Sequence, residues 1–150
     1  MHYLDKTNRK IIDLLEIDGR ISNAELAHRV GLSQSACLRR VQQLEKTGVI
    51  SGYRVKLNRA ALGTGLIAFV TVGLSEHRTK HAQAFEAAVC AAREVREVHN
   101  ITGNVEYLLR VEAADLATFK RFHTEVLGKL PHVHSITSYI CLDSPKDMRG

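Results

Sequence analysis

The chain has 150 residues, a quarter of them charged and 45% hydrophobic, with a formal net charge of +5. That length supports one or two small domains with a real core. The sequence has no apolar run of about 18 residues, which argues against a membrane span, and the opening Met1 to Lys10 has no signal-peptide apolar segment, so a cytoplasmic protein is expected. Three cysteines, Cys37, Cys90 and Cys141, lie far apart, a pattern of reduced thiols rather than a disulfide framework. Charge is unevenly spread: residues 1–60 hold 11 Lys/Arg against 6 Asp/Glu, while residues 61–150 hold 10 of each. Between 29 and 59 seven basic residues face a single acid, Glu45. A basic module joined to a neutral one is the pattern of a phosphate-binding unit attached to a non-binding one.

In chain order, Leu4 to Glu16 reads as a helix capped by Asp5, with Ile11, Ile12, Leu14 and Leu15 as its apolar positions. Asp18-Gly19 ends it. Ser22 and Glu25 have capping-box spacing, so a second helix runs from Asn23 to Val30 and buries Ala24, Leu26, Ala27 and Val30. Gly31 supplies the left-handed turn, Leu32 plugs it, and Ser33 caps a third helix that ends at Gly48, with Val49 making the hydrophobic stop contact. On that third helix Cys37, Leu38, Val41 and Leu44 share one side. Ser35, Ala36, Arg39, Gln43 and Lys46 share the other, flanked by Arg40 and Gln42. A two-faced helix after a short glycine turn is the recognition helix of a helix-turn-helix, the unit that enters the major groove of double-stranded DNA. The expected contacts are Ser33, Gln34 and Ser35 at its start and Arg39, Arg40 and Gln43 along it, since Gln and Arg read base edges while Ser reaches phosphates. Val49 to Leu57 alternates as a wing or connecting strand, with Arg54 and Lys56 placed for the DNA backbone.

Asn58 to Gly65 (NRAALGTG) reads as a hinge between a DNA-binding domain, 1–57, and a second domain, 66–150. Leu66 to Leu74 is a β-branched apolar run, hence a central strand. A helix follows over Thr79–Ala92, then strands over Val95–Ile101 and Val105–Glu112 around the turn Thr102-Gly103-Asn104. Asp115 caps a helix reaching Leu130, with Leu116, Phe119, Val126, Leu127 and Leu130 inward, and Val133–Leu142 is the last strand. The order β-α-β-β-α-β builds a ferredoxin-like sandwich, so the fold class is α+β: a three-helix, winged helix-turn-helix followed by that sandwich. The uncovered sheet face of so small a domain calls for a second copy, and a homodimer is expected.

With these residues in view, the chain resembles the Lrp/AsnC family of transcription regulators along nearly its whole length. The resemblance rests on the opening Leu4-Asp5, on Asp18-Gly19-Arg20, and on Cys37-Leu38-x-Arg40-Val41-x-x-Leu44-Glu45-x-x-Gly48-x-Ile50, together with Thr102-Gly103-Asn104-Val105-Glu106-Tyr107. It implies dimers that stack into higher oligomers, octamers among them. It also implies a small effector, commonly an amino acid, held in clefts between dimers by the loop Thr102, Gly103, Asn104, Val105, Glu106 and Tyr107. Thr137 and Ser138 on the opposing strand are the expected hydroxyl partners. Glu106 stands where the family usually has Asp, one methylene shorter. On this reading the protein is a nucleoid-associated regulator without catalytic residues or cofactor.

Eight histidines invite two other readings. His77 and His81 are four apart and His132 and His134 two apart, spacings that share a helix or strand face. With no third ligand nearby and no Cys-x-x-Cys, no metal site is expected. Some proteins resembling this family are haem-biosynthesis decarboxylases, and in such an enzyme His99, His123 or His134 would have to serve. The basic excess around the helix-turn-helix argues for DNA instead.

Overall fold

Three capped helices make up the N-terminal unit of the chain in the computed structural model, which describes residues 4–75 and 79–147. They are α1 (Lys6–Ile17), α2 (Asn23–Val30) and α3 (Gln34–Lys46). The side chains of Asp5, Ser22 and Ser33 accept hydrogen bonds from the N–H groups of Asn8, Glu25 and Ala36, each cap worth about 1 kcal/mol. The capping box at α2 is one-sided, because the Glu25 carboxylate turns to Arg29 Nε at 2.7 Å, one turn along the helix. Gly31 takes the left-handed conformation at φ 73°, which strains any residue with a Cβ. Ile11, Leu26, Ala27, Cys37 and Leu44 form the core of this unit.

Several apolar positions fall elsewhere than the sequence suggests. Ala24 is exposed, and Leu38 is 46% exposed, since it lies about 100° around the helix from Cys37. Val49 is exposed too, and Ile50 packs on the core instead, its N–H donating to the Leu44 carbonyl at 3.0 Å. The strand expected over Val49–Leu57 is not formed. Residues 51–58 are exposed, and among the described residues no backbone group of Ser51 to Leu57 hydrogen-bonds within the chain. An extended segment becomes a strand only when a neighbour completes its ladder.

The chain divides into the units Met1–Lys56 and Leu57–Gly150. In the second, β1 (Leu66–Leu74), α4 (Thr79–Ala91), β2 (Val95–Asn100), β3 (Tyr107–Ala113), α5 (Leu116–Glu125) and β4 (Val133–Ile140) follow in the β-α-β-β-α-β order. The four strands form one antiparallel sheet in the order β2-β3-β1-β4. Ala68, Val70 and Val72 alternate into a core with Tyr107, Leu109 and Val111, and Phe85 and Val89 of α4 and Phe119 and Phe122 of α5 close it. Leu116, expected inward, is 62% exposed, and Phe122 takes its place in the core. The helix expected to reach Leu130 stops at Glu125, and a 3₁₀ turn over Leu127–Lys129 leads to Pro131. The segment expected to be a hinge is a closed turn: Asn58 Oδ1 accepts from Ala61 N–H at 3.1 Å, and Thr64 N–H donates to the Arg59 carbonyl at 3.0 Å.

Candidate functional site

The caps around Gly31 fix where α3 begins, and the Asn23 side chain ties the two helices by donating to the Gln34 carbonyl at 2.8 Å. The core residues Cys37 and Leu44 then set which side of α3 faces out. Ser33, Gln34, Ser35, Arg39 and Gln43 are all exposed, as are Gln42 and Lys46. Arg39 makes no ion pair or hydrogen bond among the described residues, so its planar fork is free for a base edge or a phosphate. Arg40 is different. Its guanidinium donates to Asp5 Oδ2 at 2.7 Å and to Asn8 Oδ1 at 2.9 Å, bracing α3 against the start of α1. The Asn8 backbone N–H, and after it this hydrogen bond from Arg40, hold the Asp5 carboxyl below its ordinary value. Arg54 and Lys56 are exposed on the extended segment, not on a strand. Leu38, missed in the sequence because it borders the apolar stripe, adds an exposed apolar surface beside Arg39 that suits a thymine methyl. Cys37 is fully buried, and burial pushes its thiol up, which suppresses the reactive thiolate.

The loop before β3 is held at one end and open at the other. Ile101 N–H donates to the Glu106 carbonyl, and Glu106 N–H to Val72. The Glu106 carboxylate accepts from Leu74 N–H at 2.7 Å. Between these anchors the N–H groups of Thr102, Gly103, Asn104 and Val105 have no acceptor among the described residues. Gly103 sits at φ 138° with open space where a Cβ would point. Thr102, Gly103 and Asn104 are exposed, so these N–H groups are open to solvent, a candidate cradle for an anion such as a carboxylate.

Two of the expected effector residues are placed elsewhere. Tyr107 is 1% exposed and faces the helices, its hydroxyl donating to Glu86 Oε1 at 2.7 Å and its ring packed on Phe85. Thr137 and Ser138 are neighbours on one strand, so their side chains leave opposite faces. Thr137 is exposed, level with Thr71, whereas Ser138 is level with buried Val70 and faces an apolar pocket beside Phe119 and His123. Ser135, which the sequence did not single out, stands level with Gly73, where a Cβ would collide with its hydroxyl. The missing side chain at Gly73, inside an otherwise β-branched run, is the signal that marks this close approach.

Among the described residues the histidines form no cluster of three. His77 lies outside the described residues. The ring of His81 stacks on His132, centroids 3.6 Å apart, a pair that the sequence spacing did not suggest. Among the described residues no group of three His, Cys, Asp or Glu could hold a metal ion. His99 and His134 lie on β2 and β4, the two edges of the sheet, separated by three strand spacings or about 14 Å across it and offset along it as well.

A capped helix-turn-helix with an unpaired arginine on its outer face, followed by a ferredoxin-like domain with an open N–H cradle, defines a class: DNA-binding regulators that carry a small-molecule sensing domain. Residues 4–45 match the AsnC-type helix-turn-helix domain, and residues 67–150 the Lrp/AsnC ligand binding domain. The leucine-responsive regulatory protein of Rhizobium meliloti is 42% identical over 144 residues, 96% of this chain and 92% of that protein. A Neisseria meningitidis transcriptional regulator solved with L-methionine superposes with a TM-score of 0.92 at 34% identity, over 97% of this chain and 94% of that one. The feast or famine regulatory protein of Mycobacterium tuberculosis, also solved with L-methionine, has a TM-score of 0.87 at 30% identity, over 99% of this chain and 98% of its own. The chain belongs to the Lrp/AsnC family of transcriptional regulators.

Proposed function

We propose that this regulator reads its operator with Arg39, Gln43 and the Gln34–Ser35 start of α3, and that an amino acid held at the 102–105 loop shifts its DNA binding. The observation that carries the DNA half is the free Arg39 fork on a helix fixed by caps at both sides of the turn. Ser33, bonded to Ala36 as a cap, serves by setting the helix start, and Arg40 by bracing α3. Arg54 and Lys56 supply phosphate contacts. For the effector half, the four unpaired N–H groups suit an α-carboxylate, and the two methionine complexes of related regulators support an amino acid as its source. Thr137 is the hydroxyl partner on β4, with Ser135 in place of Ser138.

The assembly is a homodimer through the open sheet face, where Phe69, Leu108 and Tyr139 are incompletely buried, stacked into an octamer. The protein works on chromosomal DNA in the cytoplasm and carries no catalytic activity. Its effector acts only through its differential affinity for two assemblies or two spacings of the recognition helices.

A mobility-shift titration tests this on the DNA upstream of the gene and on random DNA, at two salt concentrations, with and without each of the twenty amino acids. Tight, salt-sensitive preference for the upstream DNA and a shift by at least one amino acid are expected. Equal affinity for both DNAs would overturn the operator reading, and indifference to all twenty would overturn the amino-acid reading.

A further inference from the structure

Arg110 and Glu112 are each only 5% exposed although they sit on the sheet face away from the helices. Glu112 Oε1 is claimed by Arg110. Its other oxygen is shared at longer range by Arg59 Nη1 at 3.4 Å and Arg96 Nε at 3.7 Å, and Asp147 stands 3.7 Å from Arg110. One carboxylate is thus asked to neutralise three guanidiniums, with partial help from a second, and neither Arg59 nor Arg96 makes a short hydrogen bond to it.

Of these, Arg59, Arg96 and Glu112 line a cavity of about 490 Å³ whose wall also carries Arg93, Glu94 and Thr118. Among the described residues Arg93 has no ion pair and the buried Arg59 Nε–H has no hydrogen-bond partner. A buried donor left unmade is destabilising, and a guanidinium N–H is satisfied best by an anionic oxygen. The cavity lies at the far end of β3 from the 102–105 loop, about 20 Å away for a seven-residue strand. It is a separate site.

We propose that this cavity binds a small oxyanion, the phosphate or carboxylate group of a metabolite, between Arg59, Arg93 and Arg96. Arg59 belongs to the closed turn Asn58–Thr64, while Arg93 and Arg96 flank the start of β2. An anion bridging them fastens the segment through which the chain leaves the sandwich toward the DNA-binding unit. Its occupancy is therefore a second input, independent of the amino acid.

Equilibrium dialysis of the full chain against labelled inorganic phosphate, at ionic strength held constant with chloride, tests the proposal. Saturable binding of one phosphate per chain is expected, weakened roughly tenfold in Arg93→Gln and in Arg96→Gln and retained in Glu106→Ala. Arg93 is exposed, so its variant folds, and the unfolding midpoint of each variant is measured without phosphate to confirm it. Competition by acetate identifies the carboxylate as a shared ligand chemistry, and failure of acetate to compete restricts the site to phosphate. Non-saturable uptake, or binding that survives both arginine variants, would sink the proposal. So would phosphate binding lost in Arg39→Ala, which would place the anion on the DNA-reading helix.

Discussion

Arg39 and Arg110 are the same residue put to opposite uses in the two halves of the molecule. Arg39 stands exposed on α3 with no partner among the described residues, and Arg110 is 5% exposed with its charge spent on Glu112 and Asp147. In the helical unit Arg29 and Arg40 are answered by Glu25 and Asp5, and Arg39 is left for an outside ligand. The sandwich draws Arg110 in, and its openings are backbone N–H groups and a cavity. Net charge separates the halves only coarsely. What separates Arg39 from Arg110 physically is whether the charge has already been answered inside the chain.

The comparison is broken most severely by emptying a core. Phe85→Ala removes a ring packed against Tyr107 in the sandwich, and a loss of about 3–5 kcal/mol is expected. In calorimetry the destabilisation should appear in the transition of the sandwich, while Leu44→Ala, at about 2–5 kcal/mol, should act on that of the helical unit. A single transition lowered equally by both variants would show that the units unfold together.

Next in size are the substitutions that separate reading from bracing on α3. Arg39→Ala should cost about 1–3 kcal/mol of specific DNA binding and leave the unfolding midpoint unchanged. Arg40→Ala should do the reverse in kind, lowering the midpoint of the helical unit through lost contacts to Asp5 and Asn8, with the smaller effect on operator preference. Equal loss on operator and random DNA for Arg39→Ala would reduce that residue to a phosphate contact.

Glu106→Ala removes the acceptor of the Leu74 N–H, and leaving that half-buried donor unmade costs about 1–3 kcal/mol. The anchor that holds the 102–105 cradle open goes with it, so the amino-acid response in mobility shift should vanish while effector-free DNA binding persists. Glu106→Asp is the informative partner: a carboxylate one methylene shorter that restores the response would show that the charge, not the reach, holds the loop. Retention of the full response in Glu106→Ala would remove the anchor from the mechanism.

The helix-turn-helix was legible because its signals are local. Asp5, Ser22, Gly31 and Ser33 each act within three or four residues, and each sits in the conformation its side chain prefers. The strands were legible for the same reason, β1 to the residue, because β-branched runs declare themselves. What the sequence hid depends on partners distant in the chain. The alternation that placed Val49–Leu57 as a strand says nothing about whether a ladder exists to receive it. Thr137 and Ser138 read as one hydroxyl pair until the pleat sends them to opposite faces, and Tyr107 reads as a loop residue until Glu86, 21 positions earlier, claims its hydroxyl. Arg59, within a stretch that reads as a polar hinge, is tied to Glu112 across more than fifty residues, and no spacing rule reaches that far.

The smallest expected effect is one of pH, and it sharpens the contrast between the two caps made by aspartates. In both Asp5 and Asp115 the carboxyl is held below its ordinary value, chiefly by a backbone N–H three residues on, from Asn8 and Thr118 respectively. A carboxyl depressed in the folded state contributes stability above its unfolded value of about 3.9, and that contribution is lost as pH falls through the folded value. Both units should therefore weaken below about pH 4. Asp→Asn keeps a capping oxygen at either position but does not titrate, so each variant should show a flatter acid limb than the parent. The flattening should be larger for Asp5→Asn, because only Asp5 also carries an arginine from another helix. Unfolding midpoints between pH 6 and pH 3 read this directly, and a flattening no larger in Asp5→Asn than in Asp115→Asn would show that the Arg40 bridge adds nothing to the depression of Asp5.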